Sequence, residues 1–210
     1  MQLKVSPTRM ELLRLRRRIE LARRGHKLLQ DKLEGLVREF MPLVSEYVRL
    51  RGEFDSRFPR LSVRFGTIAA ELGAGPLGTA LAGSGLSAQV ELSEERRANV
   101  PVPVLRAGVG RARGFYSLAA TPQELDAALG ELAEIFPLAV RVAESEETLR
   151  RLAAEVERTR RRVNALEYVM IPRLLEARKL IQAKLDEDER AARIRSMKVK
   201  EILERAGRRA

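Results

Sequence analysis

The sequence predicts a mainly α-helical protein: a long antiparallel two-helix coiled coil with the N- and C-termini at one tip, plus a short helix and a small β-hairpin in an inserted middle segment. Three observations predict it. Apolar residues step by alternating threes and fours from Leu12 to Phe54, the period of a left-handed coiled-coil seam. A second run with similar steps fills the C-terminal part, and two such arms in one chain most simply fold back on each other. Between them lies a stretch of different texture, glycine-rich and then strand-like. Composition agrees: 33% of the 210 residues are charged and only 4% aromatic, the bias of long helices over a large compact core.

The first arm, residues 1–58, begins near Pro7. Ser6 before Pro7 offers a cap with proline at the first helical position, and Thr8 with Glu11 makes a capping-box spacing one register later. Its seam runs Leu12, Leu15, Ile19, Ala22, His26, Leu29, Leu33, Leu36, Phe40, Leu43, Tyr47, Leu50 and Phe54. Pro42 is unexpected inside it. Pro59 predicts an end near Asp55, for a helix of about 70 Å.

The middle segment, residues 59–120, opens on a short helix over Ser62 to Leu72 that carries Val63, Ile68 and Leu72. GAGPLGTALAGSG (Gly73 to Gly85) reads as small and flexible. AQVELS and NVPVPVL then alternate as two strands around the polar turn EERRAN. Val100, Val102 and Val104 share one face, and Pro101 and Pro103 demote that strand to an edge.

The second arm, residues 121–210, starts at TPQEL, where Thr121 caps, Pro122 takes the first position and Glu124 follows. Its seam runs through Leu129, Leu132 and Phe136, then Leu149, Leu152, Val156, Thr159, Val163, Leu166 and Met170. The arm spans about 120 Å, with bends expected at Pro137 or Pro172. Pro172 stands inside RVNALEYVMIPRLLEA, where a proline costs about 3 kcal/mol. The steps Leu166 to Met170 to Leu174 are two consecutive fours, a stutter that locally unwinds a left-handed supercoil. With Arg9 level with about Arg205, Pro172 falls near Pro42 and both arms bend at one height.

Several chemistries are excluded or disfavoured. There is no cysteine, so disulfides and thiolate metal sites are out. His26 is the only histidine, which rules out a multi-histidine metal site; at its seam position it reads as a register device before a partner contact. Gly73, Gly75 and Gly78 spell G-x-G-x-x-G, but a helical stretch precedes them and Pro76 interrupts, so no dinucleotide site is expected. Asp186, Glu187, Asp188 and Glu189 point around a helix and read as a solvated or salt-bridged face, as do Glu144, Glu146 and Glu147. No catalytic residue, metal site or cofactor is expected.

The charge is +11, with Lys and Arg gathered in RLRRR, LARRGHK and the tail RIRSMKVKEILERAGRRA. Such an excess attracts nucleic acid, anionic lipid or an acidic protein surface. A basic coiled coil that binds nucleic acid is the alternative reading, and a membrane-surface scaffold a third, although the tail lacks the apolar face of an interfacial helix. With no signal-type apolar run and no stretch of about 18 apolar residues, a soluble cytosolic protein is expected.

Two stretches carry a resemblance. VSPTRMELLRLRRRIELARRGHKLLQDKLEGLVREF and RRVNALEYVMIPRLLEARKLIQAKLDEDERAARIRSMKVK resemble the D subunit of the V-type and archaeal A-type rotary ATPases. The resemblance implies a non-catalytic central rotor shaft whose joined termini enter the pore of the catalytic hexamer of A and B subunits. It further implies that the other end rests on the funnel-shaped coupling subunit (C or d) above the membrane ring and that the F subunit binds the side, at the cytoplasmic face of the membrane. Direct nucleotide or nucleic-acid binding is not expected. The candidate hexamer contacts are Arg9, Arg16, Arg17, Arg23, Arg24 and Lys27 on the first helix and Arg193, Arg195, Lys198 and Lys200 on the second. Pro172, within VNALEYVMIPRL, and Pro42 are the candidate curvature positions. The arginine-bearing GVGRARGFY and the glycine-rich stretch depart from the family pattern.

Overall fold

The structure, a computed structural model, describes residues 7–110 and 121–207. Helix α1 (Arg9–Leu72) is followed by α2 (Ala74–Gly83), strands β1 (Ala88–Arg97) and β2 (Val100–Val109), α3 (Glu124–Asn164), a π-helical turn (Ala165–Met170) and α4 (Ile171–Gly207). The expected mainly α architecture with one antiparallel hairpin is present. The cap at Ser6 and most of GVGRARGFY lie outside the described residues. Two compact units divide the chain, Met1–Leu33 with Arg158–Ala210, and Glu34–Glu157. Each unit therefore draws on both arms.

In the first unit α1 starts where the capping spacing places it: the Glu11 backbone N–H donates to Thr8 Oγ1 at 3.2 Å. Leu12, Leu15 and Ile19 then pack against Leu174 and Ile181 of α4, flanked by Ala22, Leu175, Ala177 and Leu185. These are seam positions, and burying each large side chain stabilises by about 1.5–3 kcal/mol. The pairing is antiparallel, with Arg9 joined to Glu189 at 2.7 Å and His26 Nε2 3.4 Å from Glu167.

That register corrects one expectation. Arg9 is level with Glu189, not Arg205, so Pro172 falls opposite the stretch near Ala22, twenty residues before Pro42 in the chain. Pro172 and Pro42 therefore do not face each other in this register. The apolar seam fixes the register, with Leu12, Leu15 and Ile19 against Leu174 and Ile181.

In the second unit α1 continues through Pro42 and Pro59, both exposed, and reaches Leu72 without a break. The end at Asp55 and the separate helix at Ser62 are thus replaced by one helix. Leu50, Leu61 and Ile68 are almost completely buried, and together they outweigh the roughly 3 kcal/mol cost of Pro59. Val63 faces solvent. α3 likewise runs through Pro137.

The glycine-rich stretch is helical and not an open loop. Gly73, at φ 85°, turns the chain between α1 and α2, a conformation that side chains with a Cβ rarely adopt. Leu77 and Ala80 of α2 then close a core with Leu61, Ile68, Leu125, Ala128, Leu129 and Ile135. Farther along the same unit, Leu36 and Leu152 pack with Val100 and Val102 of the hairpin. Leu50 packs with Leu138 and Val142.

The hairpin pairs Arg97 with Val100 around a two-residue turn, Ala98 and Asn99, at φ 48° and 65°. Two positive φ values are the signature of the type I′ turn, which matches strand twist. EERR therefore belongs to β1, and only Ala98-Asn99 turns.

Candidate interaction surfaces

The basic residues singled out from the sequence fall in the first unit, and the structure sorts them. Arg9 bonds Glu189, and Arg193 reaches the same carboxylate at 3.9 Å. Arg24 pairs with Glu20 on its own helix, Lys198 with Glu201 at 3.0 Å, and Arg195 donates to the Ala191 carbonyl at 3.3 Å. Arg16, Arg17, Arg23 and Lys27 are exposed and form no ion pair among the described residues. Lys200 is exposed too. A groove of about 420 Å³ beside the seam brings Arg16 together with Arg178, Lys179, Gln182 and Asp186. The acidic run is used locally: Gln182 donates to Asp186, and Glu189 holds two arginines. Among the described residues no group of His, Asp and Glu could hold a metal.

The π turn is the site at Pro172. Ile171 N–H donates to the Leu166 carbonyl, five residues back, so the turn holds one residue more than an α-helix would. The seam consequently steps from Leu166 to Ile171. Met170, expected on the seam, is 51% exposed, with Tyr168 and Val169 beside it. The remaining seam residues divide by burial: Leu12, Leu15, Ile19, Leu36 and Val163 are buried, while Leu29, Leu33, Val156 and Leu166 are half-buried. Opposite the turn, His26 Nε2 is buried without a hydrogen bond, its 3.4 Å approach to Glu167 lacking hydrogen-bond geometry. Thr159 Oγ1 is also buried with no partner.

The second unit holds residues that the sequence did not single out as a site. Glu144 accepts the Leu105 backbone N–H at 2.8 Å. Arg151 donates to the Pro101 carbonyl at 3.1 Å, lies 3.7 Å from Glu94, and is held from below by Glu147 at 2.7 Å. Glu147 also accepts from Arg150 at 2.8 Å, and these two arginine bonds hold its carboxyl at about 2, well below the usual range. Between α1, the hairpin and α3 lies a cavity of about 130 Å³ lined by Glu46, Arg97, Pro103, Arg141 and Glu144. Polar side chains of α3 thus clamp β2, and the i, i+3 and i+4 spacing of Glu147 to Arg150 and Arg151 was the sequence signal for it. Gly73, Gly75 and Gly78 follow a helix, not a strand, and form no phosphate cradle.

No helix among the described residues is long and apolar enough to cross a membrane. Comparison with known proteins shows the family. The family model for the ATP synthase D subunit matches residues 11–201. The D subunit of an A-type ATP synthase from Thermococcus gammatolerans is 44% identical over 209 residues, covering 96% of both chains. The D subunits of the V-type ATP synthases from Acetivibrio thermocellus and Clostridioides difficile are each 40% identical over 205 residues, covering 96% of this chain and 92% of theirs. The nucleic-acid reading gains no support from any of these. With two paired arms, a clamped hairpin and matches at this identity along almost its whole length, the chain belongs to the ATP synthase D-subunit family of V-type and A-type enzymes.

Proposed function

We propose that this chain is the central rotor shaft of a V/A-type ATP synthase, carrying torque between nucleotide chemistry in the A and B catalytic hexamer and ion movement through the membrane ring. The observation that carries the reading is the family match over residues 11–201, which takes in both helical arms. The shaft is non-catalytic and works at the cytoplasmic side of the membrane. Its basic terminal end enters the hexamer, the F subunit binds its side, and its other end seats on the funnel-shaped coupling subunit.

Physical features support this assignment. Interdigitated seams on two helices resist twist, as torque transmission requires. Arg16, Arg17, Arg23 and Lys27 are exposed cations without intramolecular ion pairs among the described residues, suited to weak, exchangeable contacts with a surrounding sleeve. Arg9, Arg24, Arg193, Arg195, Lys198 and Lys200 extend the same basic surface. Pro172, behind its π turn, and Pro42 supply departures from a straight, symmetric shaft, so that rotation presents different faces to the three catalytic interfaces.

A pull-down of the tagged chain from native membranes tests the proposal. The expected result is recovery of A, B and F subunits together, with partner masses identified. Failure to assemble with a catalytic hexamer under any nucleotide condition overturns it. Reversing Arg16, Arg17 and Arg23 to Glu should weaken hexamer recovery while leaving helicity intact.

A further inference from the structure

The two edges of the β-hairpin are treated in opposite ways. Antiparallel pairing of Arg97 with Val100 around the two-residue turn fixes which backbone groups face inward. On β2 the outward positions are Pro101, Pro103, Leu105, Ala107 and Val109. The first two are prolines, which have no N–H to offer, and Leu105 gives its N–H to Glu144. The outward Pro101 carbonyl is taken by Arg151. From Pro101 to Leu105 this edge is closed.

On β1 the outward positions are Ala88, Val90, Leu92, Glu94 and Arg96. All ten residues of β1 are exposed, and the strand's backbone pairs with β2 alone. Among the described residues it has no proline, no bulge and no covering helix, and its outward charged residues, Glu94 and Arg96, lie toward the turn. Val90 and Leu92 are 48% and 70% exposed, apolar side chains on a bare edge. Glu91 and Glu95, four apart on the opposite face, form no ion pair among the described residues.

We propose that the open edge of β1 is an interaction surface that takes an extended segment of a partner subunit by antiparallel strand addition. The incoming strand donates and accepts at Val90, Leu92 and Glu94, sets apolar side chains against Val90 and Leu92, and carries basic residues opposite Glu91 and Glu95. The two unpaired carboxylates decide the sign of the partner's charge. The proposal rests on the reading of the chain as a subunit of a larger complex. A second copy of this chain is a poorer occupant, since it brings Glu91, Glu94 and Glu95 of two chains to one edge.

Residue-resolved amide hydrogen exchange on the full chain tests it, alone and in the purified ATP synthase complex. In the isolated chain the inward amides of Glu91, Ser93 and Glu95 are protected and those of Val90, Leu92 and Glu94 exchange freely. In the complex, the outward set should slow by about tenfold or more. Unchanged exchange at Val90, Leu92 and Glu94 in a complex that does contain the chain overturns strand addition while leaving the shaft assignment standing. Failure of the chain to enter the complex overturns the shaft assignment first. Protection that appears in the isolated chain and rises with its concentration assigns the edge to a second copy and refutes the partner. Leu92→Pro gives the second arm of the test. Its lost N–H faces away from β2, so β2 amide protection should survive while the added protection at Val90 and Glu94 disappears. Retention of that protection in L92P refutes the proposal.

Discussion

The π turn makes a prediction about deletion that an ordinary helix does not. It accommodates one residue beyond the α-helical count between Leu166 and Ile171. Deleting Val169, whose side chain is exposed, should convert the turn to α-helix, shorten the seam step from five to four, and leave Leu174 and Ile181 facing Leu12, Leu15 and Ile19. Deleting the exposed Glu176, also one residue but in regular helix, rotates everything after it by about 100°. That turns Ile181, 1% exposed, and Leu185 off the seam and uncovers their partners on α1. Two such side chains at about 1.5–3 kcal/mol each give a loss of about 3–6 kcal/mol. Both deletions belong in a Pro172→Ala background, because restoring α-helix around a proline adds its own penalty of about 3 kcal/mol. Urea unfolding of the full chain followed by helical circular dichroism reads the difference. The Val169 deletion should stay within about 1 kcal/mol of Pro172→Ala alone, since its seam contacts are retained. Equal losses from the two deletions refute the claim that the π turn is a one-residue register insertion.

Other outcomes follow from single contacts. Thr159→Val removes a buried hydroxyl without a partner and should raise stability by about 1 kcal/mol, seen as a higher midpoint in thermal unfolding. Arg151→Ala should loosen the hairpin from α3, read as faster amide exchange in Val102 and Val104 with overall helicity retained, because it frees the Pro101 carbonyl and Glu94 together. The Glu147 carboxyl is held at about 2 against an ordinary 4.5, so its contribution is present above the ordinary value and is lost as pH falls through about 2. Glu147→Gln should therefore reduce the acid dependence of unfolding between about pH 4.5 and 2 and leave the pH dependence above pH 6 unchanged.

Much of this architecture was legible because seams repeat. The Thr8 to Glu11 cap and the seam through Leu12, Leu15, Ile19, Leu36 and Leu50 are periodic, local signals, and the structure keeps them. What was not legible depends on distant partners. Pro59 is a breaker by local rule, but Leu61 and Ile68 meet Leu125 and Leu129, which lie more than fifty residues on. Four glycines within Gly73 to Gly83 argue against helix at about 1 kcal/mol each, yet Leu77 and Ala80 have a core to enter. EERR carries no strand signal of its own and is a strand because VPVP lies across from it. The stutter was visible, but apolar residues at both 170 and 171 hid which one faces the seam. Composition counted the arginines; only geometry separates Arg9 and Arg151, held by carboxylates, from Arg16 and Arg23.

These distinctions bear on how a shaft can be both stiff and specific. A perfectly regular two-helix seam transmits twist but looks much the same at every level, so identity must come from departures. In the first unit the departure is a π turn that turns Tyr168, Val169 and Met170 outward without surrendering Ile181. In the second it is a hairpin whose apolar face docks on Leu36 and Leu152 while one strand edge is sealed by prolines, Glu144 and Arg151. Both departures leave the buried seam of their own unit intact. Each adds surface chemistry without removing the contacts that resist twist, so recognition and stiffness are carried by different residues and can be perturbed separately.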